Sequence, residues 1–277
     1  MPDSDSGSTL FEPFDYPSGK ASLRSLHVML QIVGKVRMAL FPKRENFGHV
    51  TLFLCGSGFT TRPIPYRDVV FEITVDLIEL QCKIQSSDGR RKVVPLRMPV
   101  ADFYRAFTGA LTDLNIAVPI KPEPYDIPGE VTPYLDDTGQ REFDPVTVRR
   151  VWRSYLGINN VLEAFASDYR GKIIHPQFYW HHIDLTSYRF LPSGEQQIAS
   201  GFWIGDDRTH EPMLFSYRYP APDPSIRSRP LQPEGAVWGD NQMASLRYND
   251  VARSADPQAA FLAFYRSAYE AFTAVDR

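Results

Sequence analysis

The sequence predicts an α+β fold made of two similar halves, each an antiparallel sheet with helices packed against it. Three observations support this prediction: a long apolar helix near the start, short alternating runs separated by turn residues, and a second pass through the same order of elements. Because the strands follow one another instead of alternating with helices, the pattern favours α+β over a parallel α/β sheet. The repeated order is consistent with an internal duplication.

The first half is predicted over residues 21–118. Its helix, over 22–41, is apolar around most of its circumference, which is typical of a buried helix. Alternating runs between 49 and 96 predict strands, and Asp88-Gly89 predicts a hairpin turn between the last two of them. A helix at about 100–114 completes this half, because its large apolar residues recur at helical spacing.

A Pro-rich, acidic connector over 119–143 leads to the second half, which is predicted over 144–277. Asp144 followed by Pro145 is typical of a helix N-cap and the first helical position. Strand-like runs lie between 177 and 248, and an Asp-Pro pair begins a last amphipathic helix. Two similar halves would form a cleft at their junction, which is a common place for a ligand pocket.

Composition argues against several classes of protein. The chain has 277 residues and a net charge of −3, without a basic cluster dense enough to follow a phosphate backbone, so nucleic acid is not expected as a partner. Cys55 and Cys82 fit a reduced compartment better than a disulfide framework. Residues 1–20 are predicted to be flexible and lack the pattern of a signal peptide. No apolar run reaches the ~18 residues that span a bilayer. We therefore expect a cytoplasmic protein with no membrane partner.

The first helix carries a narrow polar stripe. His27, Gln31 and Lys35 follow one another at i, i+4 and i+8, so they share one side of an otherwise apolar helix. They fit either a solvent-exposed helix face or a buried helix whose polar side chains line a cavity. The stripe holds no acidic residue and lies beside Gly34, which costs about 1 kcal/mol within a helix unless another group approaches closely. These two features favour a ligand site.

The chemistry of this polar stripe suits an anionic ligand. Lys35 would supply the charge, Gln31 an orienting amide, and His27 a proton donor or acceptor. Arg37 falls within the apolar arc of the helix, where an arginine needs a carboxylate or carbonyl partner. An inward-facing Asp76 would be a natural partner for Arg37 or Lys35, whereas its position on a predicted strand also fits a solvent-facing row.

The segment HPQFYWHHID holds a second set of polar residues. In an extended chain Trp180, His182 and Asp184 point the same way, and His182-Ile183-Asp184 matches the His-x-Asp half of an iron oxygenase facial triad. The distal histidine of such a site would have to be His210, which lies in a polar turn. We therefore expect no metal, and we interpret Asp184 as an acid beside Trp180 that could orient a catalytic histidine.

Several phrases of the sequence resemble one bacterial family. They are QIVGKVRMAL (31–40), TTRPIPY (60–66), FEITVDLIE (71–79), VADFYRAF (100–107), FYWHHIDL (178–185), SGFWIGD (200–206) and ADPQAAFLAFYRSAYEA (255–271). Over nearly its whole length the chain resembles family five-nine-nine-six of the domains of unknown function. The resemblance implies no activity, cofactor or substrate.

What the resemblance does imply is a set of positions that belong to the family pattern. These are His27, Gln31, Gly34, Lys35, Arg37, His49, Trp180, Asp184, Arg189, Gly201 and Trp203. The chain departs from the pattern at His181-His182 and at Glu195-Gln196, so the resemblance implies no chemistry at those residues.

The leading functional hypothesis is a small-molecule enzyme that uses acid–base chemistry on an anionic or aromatic ligand, in a cleft between the halves and without a metal or other cofactor. Its predicted catalytic residues are His27, His49 and Asp184, and its predicted ligand-binding residues are Gln31, Lys35, Arg37, Trp180 and Trp203. The alternative is a non-catalytic ligand-binding or protein-interaction module. A weaker alternative is a non-haem iron oxygenase that uses His182 and Asp184. The sequence predicts no particular oligomeric state.

Overall fold

The computed structural model of the chain describes residues 10–192 and 194–274. It confirms the α+β class, because these residues form two antiparallel sheets of six strands each, with packed helices. The chain divides into two compact units. The first unit comprises Gly19–Arg149 and Gln177–Ile183, and the second comprises the residues up to Ser18, Arg150–Pro176 and those from Asp184 onward.

The described residues form five α-helices: four lie close to their predicted positions, except that the first begins early, and a short helix that begins at residue 248 was not predicted. They are α1 (Tyr16–Leu40), α2 (Val100–Asp113), α3 (Pro145–Ser167), α4 (Tyr248–Ala252) and α5 (Pro257–Ala274). α1 begins before the predicted residue 22 because the Asp15 carboxylate accepts a hydrogen bond from the Ser18 backbone N–H (2.9 Å) and caps the first turn. The Asp144 carboxylate caps α3 as predicted, accepting from the backbone N–H of Thr147 (2.9 Å). Of the predicted flexible segment, residues 1–9 lie outside the described residues.

The first unit contains a six-stranded sheet. Its strands are β1 (Phe53–Cys55), β2 (Gly58–Thr60), β3 (Ile64–Tyr66), β4 (Val69–Asp76), β5 (Gln81–Ser86) and β6 (Arg91–Pro95). The sheet order is β1-β2-β4-β5-β6, and β3 pairs with β4. β5 and β6 form the predicted hairpin, where Gly89 has a φ of 89°, a left-handed conformation that glycine adopts without strain.

The second sheet has the order β11-β12-β10-β9-β8-β7. Its strands are β7 (Ile173–Tyr179), β8 (Asp184–Phe190), β9 (Gln197–Trp203), β10 (Met213–Tyr219), β11 (Val237–Trp238) and β12 (Ala244–Arg247). The prediction that Trp180, His182 and Asp184 alternate along one extended strand is wrong. Residues 180–183 form a turn between β7 and β8, and Ile183 has a φ of 50°, which an extended chain does not allow.

α1 is buried on every side along its middle turns. Each residue from Ser25 to Arg37 is buried, and Val28, Ile32 and Val36 are at most 1% exposed. The polar stripe is buried with them, which excludes the interpretation of the stripe as a solvent-exposed helix face. Among the described residues no helix is both long and apolar enough to cross a membrane.

Candidate functional site

The polar stripe of α1 lies against an extended segment of the same unit, residues 120–125, which we call the strap. Gln31 Nε2 donates to the Tyr125 carbonyl oxygen (2.5 Å), and Gln31 Oε1 accepts from the Tyr125 backbone N–H (2.8 Å). One side-chain amide therefore pairs with one peptide unit much as two strands pair. The Tyr134 hydroxyl donates a further bond to Gln31 Oε1 (3.2 Å). Both polar atoms of the fully buried Gln31 amide are therefore hydrogen-bonded to groups of the same chain.

Lys35 is held by the same segment. Its Nζ donates to the carbonyl oxygens of Lys121 (3.1 Å) and Glu123, and it lies 4.7 Å from the centre of the Tyr134 ring. Burial lowers the pKa of Lys35 to about 8, against the opposing effect of the Glu123 charge. The amine therefore stays protonated at neutral pH, with carbonyl oxygens and a ring face in place of water.

His27 is neutral in this arrangement. Its Nε2 lies 2.9 Å from the Trp180 carbonyl oxygen and 3.2 Å from that of His181. Gln31 Nε2 lies 3.4 Å from the same nitrogen. The two carbonyl groups are closer and only accept hydrogen bonds, so we assign the ring proton to Nε2. Burial lowers the pKa of His27 to about 4. A histidine with that pKa, whose N–H is shared between two carbonyl groups, is poorly suited to move a proton at neutral pH.

Trp180 lies directly on Gly34. A Cβ atom at Gly34 would overlap the indole ring, so the close approach that the helical glycine predicts is made by this tryptophan. The indole N–H donates to the Val50 carbonyl oxygen, and the side chain is 2% exposed. The first unit thus brings four of the predicted site residues together: His27, Gln31, Lys35 and Trp180.

Arg37 occupies a different place, near the end of α1. Its guanidinium is 2% exposed and donates to the carbonyl oxygens of Thr61 (2.8 Å) and Gly48 (3.4 Å). Its Cζ atom lies 3.8 Å from the centre of the Phe41 ring and 5.2 Å from that of Phe53. In the described part of the chain, Arg37 Nε has no hydrogen-bond partner.

Two further arginines extend this arrangement. Arg44 Cζ lies 4.7 Å from the centre of the Phe41 ring, and Arg62 Cζ lies 3.7 Å from that of Phe53. The five side chains alternate in the order Arg44, Phe41, Arg37, Phe53, Arg62, and we call this set the arginine ladder. Burial, and then the charges of Arg44 and Arg62, lower the pKa of Arg37 to about 10.

No carboxylate offsets the charge of Arg37. Asp76, which the sequence offers as a partner, instead lies 2.8 Å from Lys83 Nζ and accepts the backbone N–H of Ile78 (2.9 Å). Over residues 10–192 and 194–274, no carboxylate oxygen lies within 4.0 Å of the Arg37 or Arg44 guanidinium. Buried charges are normally paired with opposite charges, so Arg37 is a buried cation whose charge no carboxylate among the described residues offsets by direct contact.

His49 lies in the loop that links α1 to the sheet, and not on a strand as predicted. Residues 48–50 form a turn, and His49 Nδ1 accepts the backbone N–H of Arg44 (3.3 Å). The neighbouring Phe47 is 69% exposed and has a φ of 55°. A positive φ is strained for a bulky residue, and such strain is concentrated at functional sites. The loop therefore presents an aromatic ring to solvent at a conformational cost.

Asp184 and Trp203 belong to the second unit, where they lie opposite each other on β8 and β9. Asp184 Oδ2 accepts a hydrogen bond from the Thr186 hydroxyl (2.5 Å). Burial, and then the Asp184 charge, raise the pKa of Tyr217 on β10. The half-buried acid and indole thus form a cross-strand pair within the second unit.

The histidines of the 180–183 turn contact each other and an acid. The His181 and His182 ring centres are 4.3 Å apart, and His182 Nε2 lies 2.8 Å from Asp126 Oδ2. Burial, and then the His182 charge, lower the pKa of His181 to about 4. Within the described ranges, no three residues of the His, Cys, Asp and Glu types form a group that could hold a metal ion.

Comparison with known protein families gives one match. The model of DUF5996, described as a family of unknown function, matches residues 11–197 and 193–277. The chain belongs to DUF5996. The match confirms the resemblance drawn from the sequence phrases, and it spans both units. No curated protein and no solved structure matches this DUF5996 chain. Its function therefore has to be argued from the side chains described above.

Reasoning from the sequence identifies only one member of the arginine ladder, Arg37. A signal for the others was present, because Lys43-Arg44 lies close to His49, and Arg62 lies in one of the phrases shared with DUF5996. What the sequence lacks is any indication that two phenylalanine rings separate the three guanidinium groups.

Proposed function

We propose that this DUF5996 chain binds a small organic anion at the arginine ladder. The observation that carries the proposal is the environment of Arg37, a guanidinium 2% exposed whose charged neighbours are Arg44 and Arg62. Burying a charge without a counter-charge is costly, and a bound carboxylate or phosphate would supply that counter-charge. Guanidinium groups suit such ligands because they bind two oxygens of an oxyanion at once.

The ligand is expected to carry a flat apolar body as well as its charge. Phe41 and Phe53 flank the guanidinium groups of the arginine ladder, and Phe47 on the adjoining loop offers a third, largely exposed ring. Aromatic rings stack on flat apolar groups and gain about 0.5–1.5 kcal/mol beyond the burial of area. An aromatic carboxylate or phosphate ester therefore fits this set better than a bare inorganic ion does.

The geometry supports binding better than acid–base catalysis. A catalytic base needs a pKa near the working pH and an open position for the substrate. His27 has a pKa of about 4, and its Nε2 is shared between two carbonyl groups. His49 accepts a backbone N–H with its Nδ1. Catalysis by these histidines thus remains a hypothesis without a geometric argument in its favour.

Calorimetric titration with benzoate, acetate and inorganic phosphate tests the proposal. We expect benzoate to bind most tightly to the unmodified protein. In the double variant Arg44→Gln/Arg62→Gln, its Kd should rise about 10- to 100-fold, because a hydrogen bond to a charged group contributes about 1.5–3 kcal/mol. Both side chains are exposed, so the fold should survive their substitution.

The matched control is Arg91→Gln/Arg97→Gln, which removes two exposed arginines of the same unit from outside the arginine ladder. This variant should bind benzoate as the parent does. Equal weakening in the two double variants would show that only net charge matters. That result, or the absence of binding of all three anions to the parent, would refute the proposal.

A further inference from the structure

We infer that the polar stripe and the side chains around it form a recognition site for an extended, proline-containing peptide, and that the strap is an internal occupant of this site. The inference is independent of the anion proposal, because none of its residues belongs to the arginine ladder.

The first argument is that the site binds the backbone of the strap. Side chains and one backbone N–H group of the site bond main-chain groups of the strap: the Tyr104 hydroxyl bonds Ile120, Lys35 bonds Lys121 and Glu123, the Tyr134 N–H bonds Pro122, and Gln31 bonds Tyr125. The side chains of Lys121, Glu123 and Tyr125 are exposed. Any peptide of the same backbone shape would offer the same acceptors, whatever its exposed side chains.

The second argument comes from the sequence of the strap. Residues 121–125 read Lys-Pro-Glu-Pro-Tyr, and each proline fixes its own φ and pushes the residue before it towards an extended conformation. Such segments lose little entropy on binding and typically dock in grooves lined by aromatic rings. The ring centres of Tyr104 and Tyr134 are 5.8 Å apart, and those of Trp180 and Tyr125 are 6.4 Å apart. The groove and its occupant thus match a known mode of peptide recognition.

The third argument concerns exchange of the occupant. The chain from residue 115 to 144 has neither helix nor strand, so its local opening does not require a sheet or a helix to break. Gln31 and Lys35, by contrast, are buried on a helix and cannot be left without partners at low cost. Opening of the strap is therefore favourable only when another backbone supplies carbonyl groups, which is the behaviour of a peptide-binding site.

Fluorescence anisotropy with a labelled peptide tests the inference. The probe has the sequence of residues 119–126, PIKPEPYD, with blocked ends. The tethered strap competes at an effective concentration in the millimolar range, so the parent should bind the probe weakly. Pro122→Gly/Pro124→Gly loosens the strap but keeps its carbonyl groups, and this variant should bind the probe at least 10-fold more tightly.

Two controls decide whether the groove is responsible. Adding Gln31→Leu to the loosened variant should weaken probe binding at least 10-fold. A probe with glycine in place of Pro122 and Pro124 should also bind at least 10-fold more weakly. Binding that ignores Gln31, or a folded, loosened variant that does not bind the probe, would overturn the inference.

The parent protein gives a second measurement that needs no variant. Hydrogen exchange of the Tyr125 amide, which is bonded to Gln31 Oε1, should change on addition of millimolar probe, while the amides of α1 stay protected. An unchanged Tyr125 amide at saturating probe would contradict exchange of the strap.

Discussion

Two buried arginines, one in each unit, have similar stacking and opposite electrostatic surroundings. Arg189 on β8 is 5% exposed, and its Cζ lies 3.4 Å from the centre of the Phe165 ring and 4.6 Å from that of Tyr269. Its guanidinium donates to the Phe165 carbonyl oxygen. Arg37 is stacked on two rings and bonded to carbonyl groups in the same manner, and among the described residues neither Nε has a hydrogen-bond partner.

The two guanidinium groups differ in their charged neighbours. Burial lowers the pKa of each arginine to about 10. Around Arg189 the Tyr269 phenol and the Asp168 carboxylate act against this shift and Arg266 adds to it, whereas around Arg37 the neighbouring charges are those of Arg44 and Arg62, which add to it. A structural arginine is therefore recognisable by compensation within its own unit. Within the described part of the chain no opposite charge acts on Arg37 in this way, and this difference is why we interpret Arg37 as part of a candidate binding site and Arg189 as a structural residue.

The largest expected effect separates these two arginines by stability. Arg189→Met should lower the free energy of unfolding by about 3 kcal/mol, because it leaves a buried carbonyl without its donor and removes the ring contacts. Arg37→Met should cost only about 1 kcal/mol, because the loss of two carbonyl bonds is offset by relief of repulsion from Arg44 and Arg62. Urea unfolding of both variants measures the difference. Equal losses would mean that the charged surroundings of the two arginines do not matter.

Lys35 extends the comparison to a cation that can lose its proton. Its folded pKa of about 8 lies below the ordinary value of 10.5, so between these two pH values the unfolded chain holds more protons than the folded one. Stability should therefore rise as the pH increases from about 8 to 10.5, by an amount on the order of 2 kcal/mol. Below pH 8 the protonated amine bears the full cost of burial in the folded state.

Lys35→Met is the control for this pH dependence. The variant keeps the aliphatic stem and should lack the rise, and at pH 7 its stability should differ from that of the parent by less than about 1 kcal/mol. Urea midpoints measured across the range from pH 7 to 11 provide the test. If the free energy of unfolding varies with pH in the same way in the parent and the variant, burial of protonated Lys35 does not destabilise the folded protein.

The sequence predicts much of the fold because its strongest signals are local. The Asp88-Gly89 turn and the Asp144 cap act over a few residues, and each is found where it was predicted. The failed strand prediction at Ile183 has the opposite character. A β-branched residue disfavours the left-handed conformation that Ile183 adopts, so its intrinsic preference predicts a strand where the chain forms a turn.

The candidate site is harder to predict because its contacts are distant in sequence. The polar stripe can be read from helical spacing, but the Tyr125 amide that bonds Gln31 lies 94 residues away, and the Trp180 carbonyl that bonds His27 lies 153 residues away. Spacing shows that a polar group on an apolar helix needs a partner. It does not show whether that partner is a ligand, a side chain or, as here, the peptide backbone of the same chain.

The smallest expected effect is that of a substitution, Arg44→Glu, which places a carboxylate where the proposed ligand would bring one. Arg44→Glu replaces an exposed cation beside Arg37 with an anion, so it should stabilise the protein by about 0.5–1 kcal/mol and abolish benzoate binding. The matched change in the second unit is Arg266→Glu, which breaks an exposed ion pair with Asp168 (2.5 Å) and should destabilise by about 0.5 kcal/mol. Opposite signs in the two units are the expected outcome of urea unfolding. A loss of stability in Arg44→Glu would mean that Arg37 has no need of a counter-charge, and the comparison on which the anion site rests would fail.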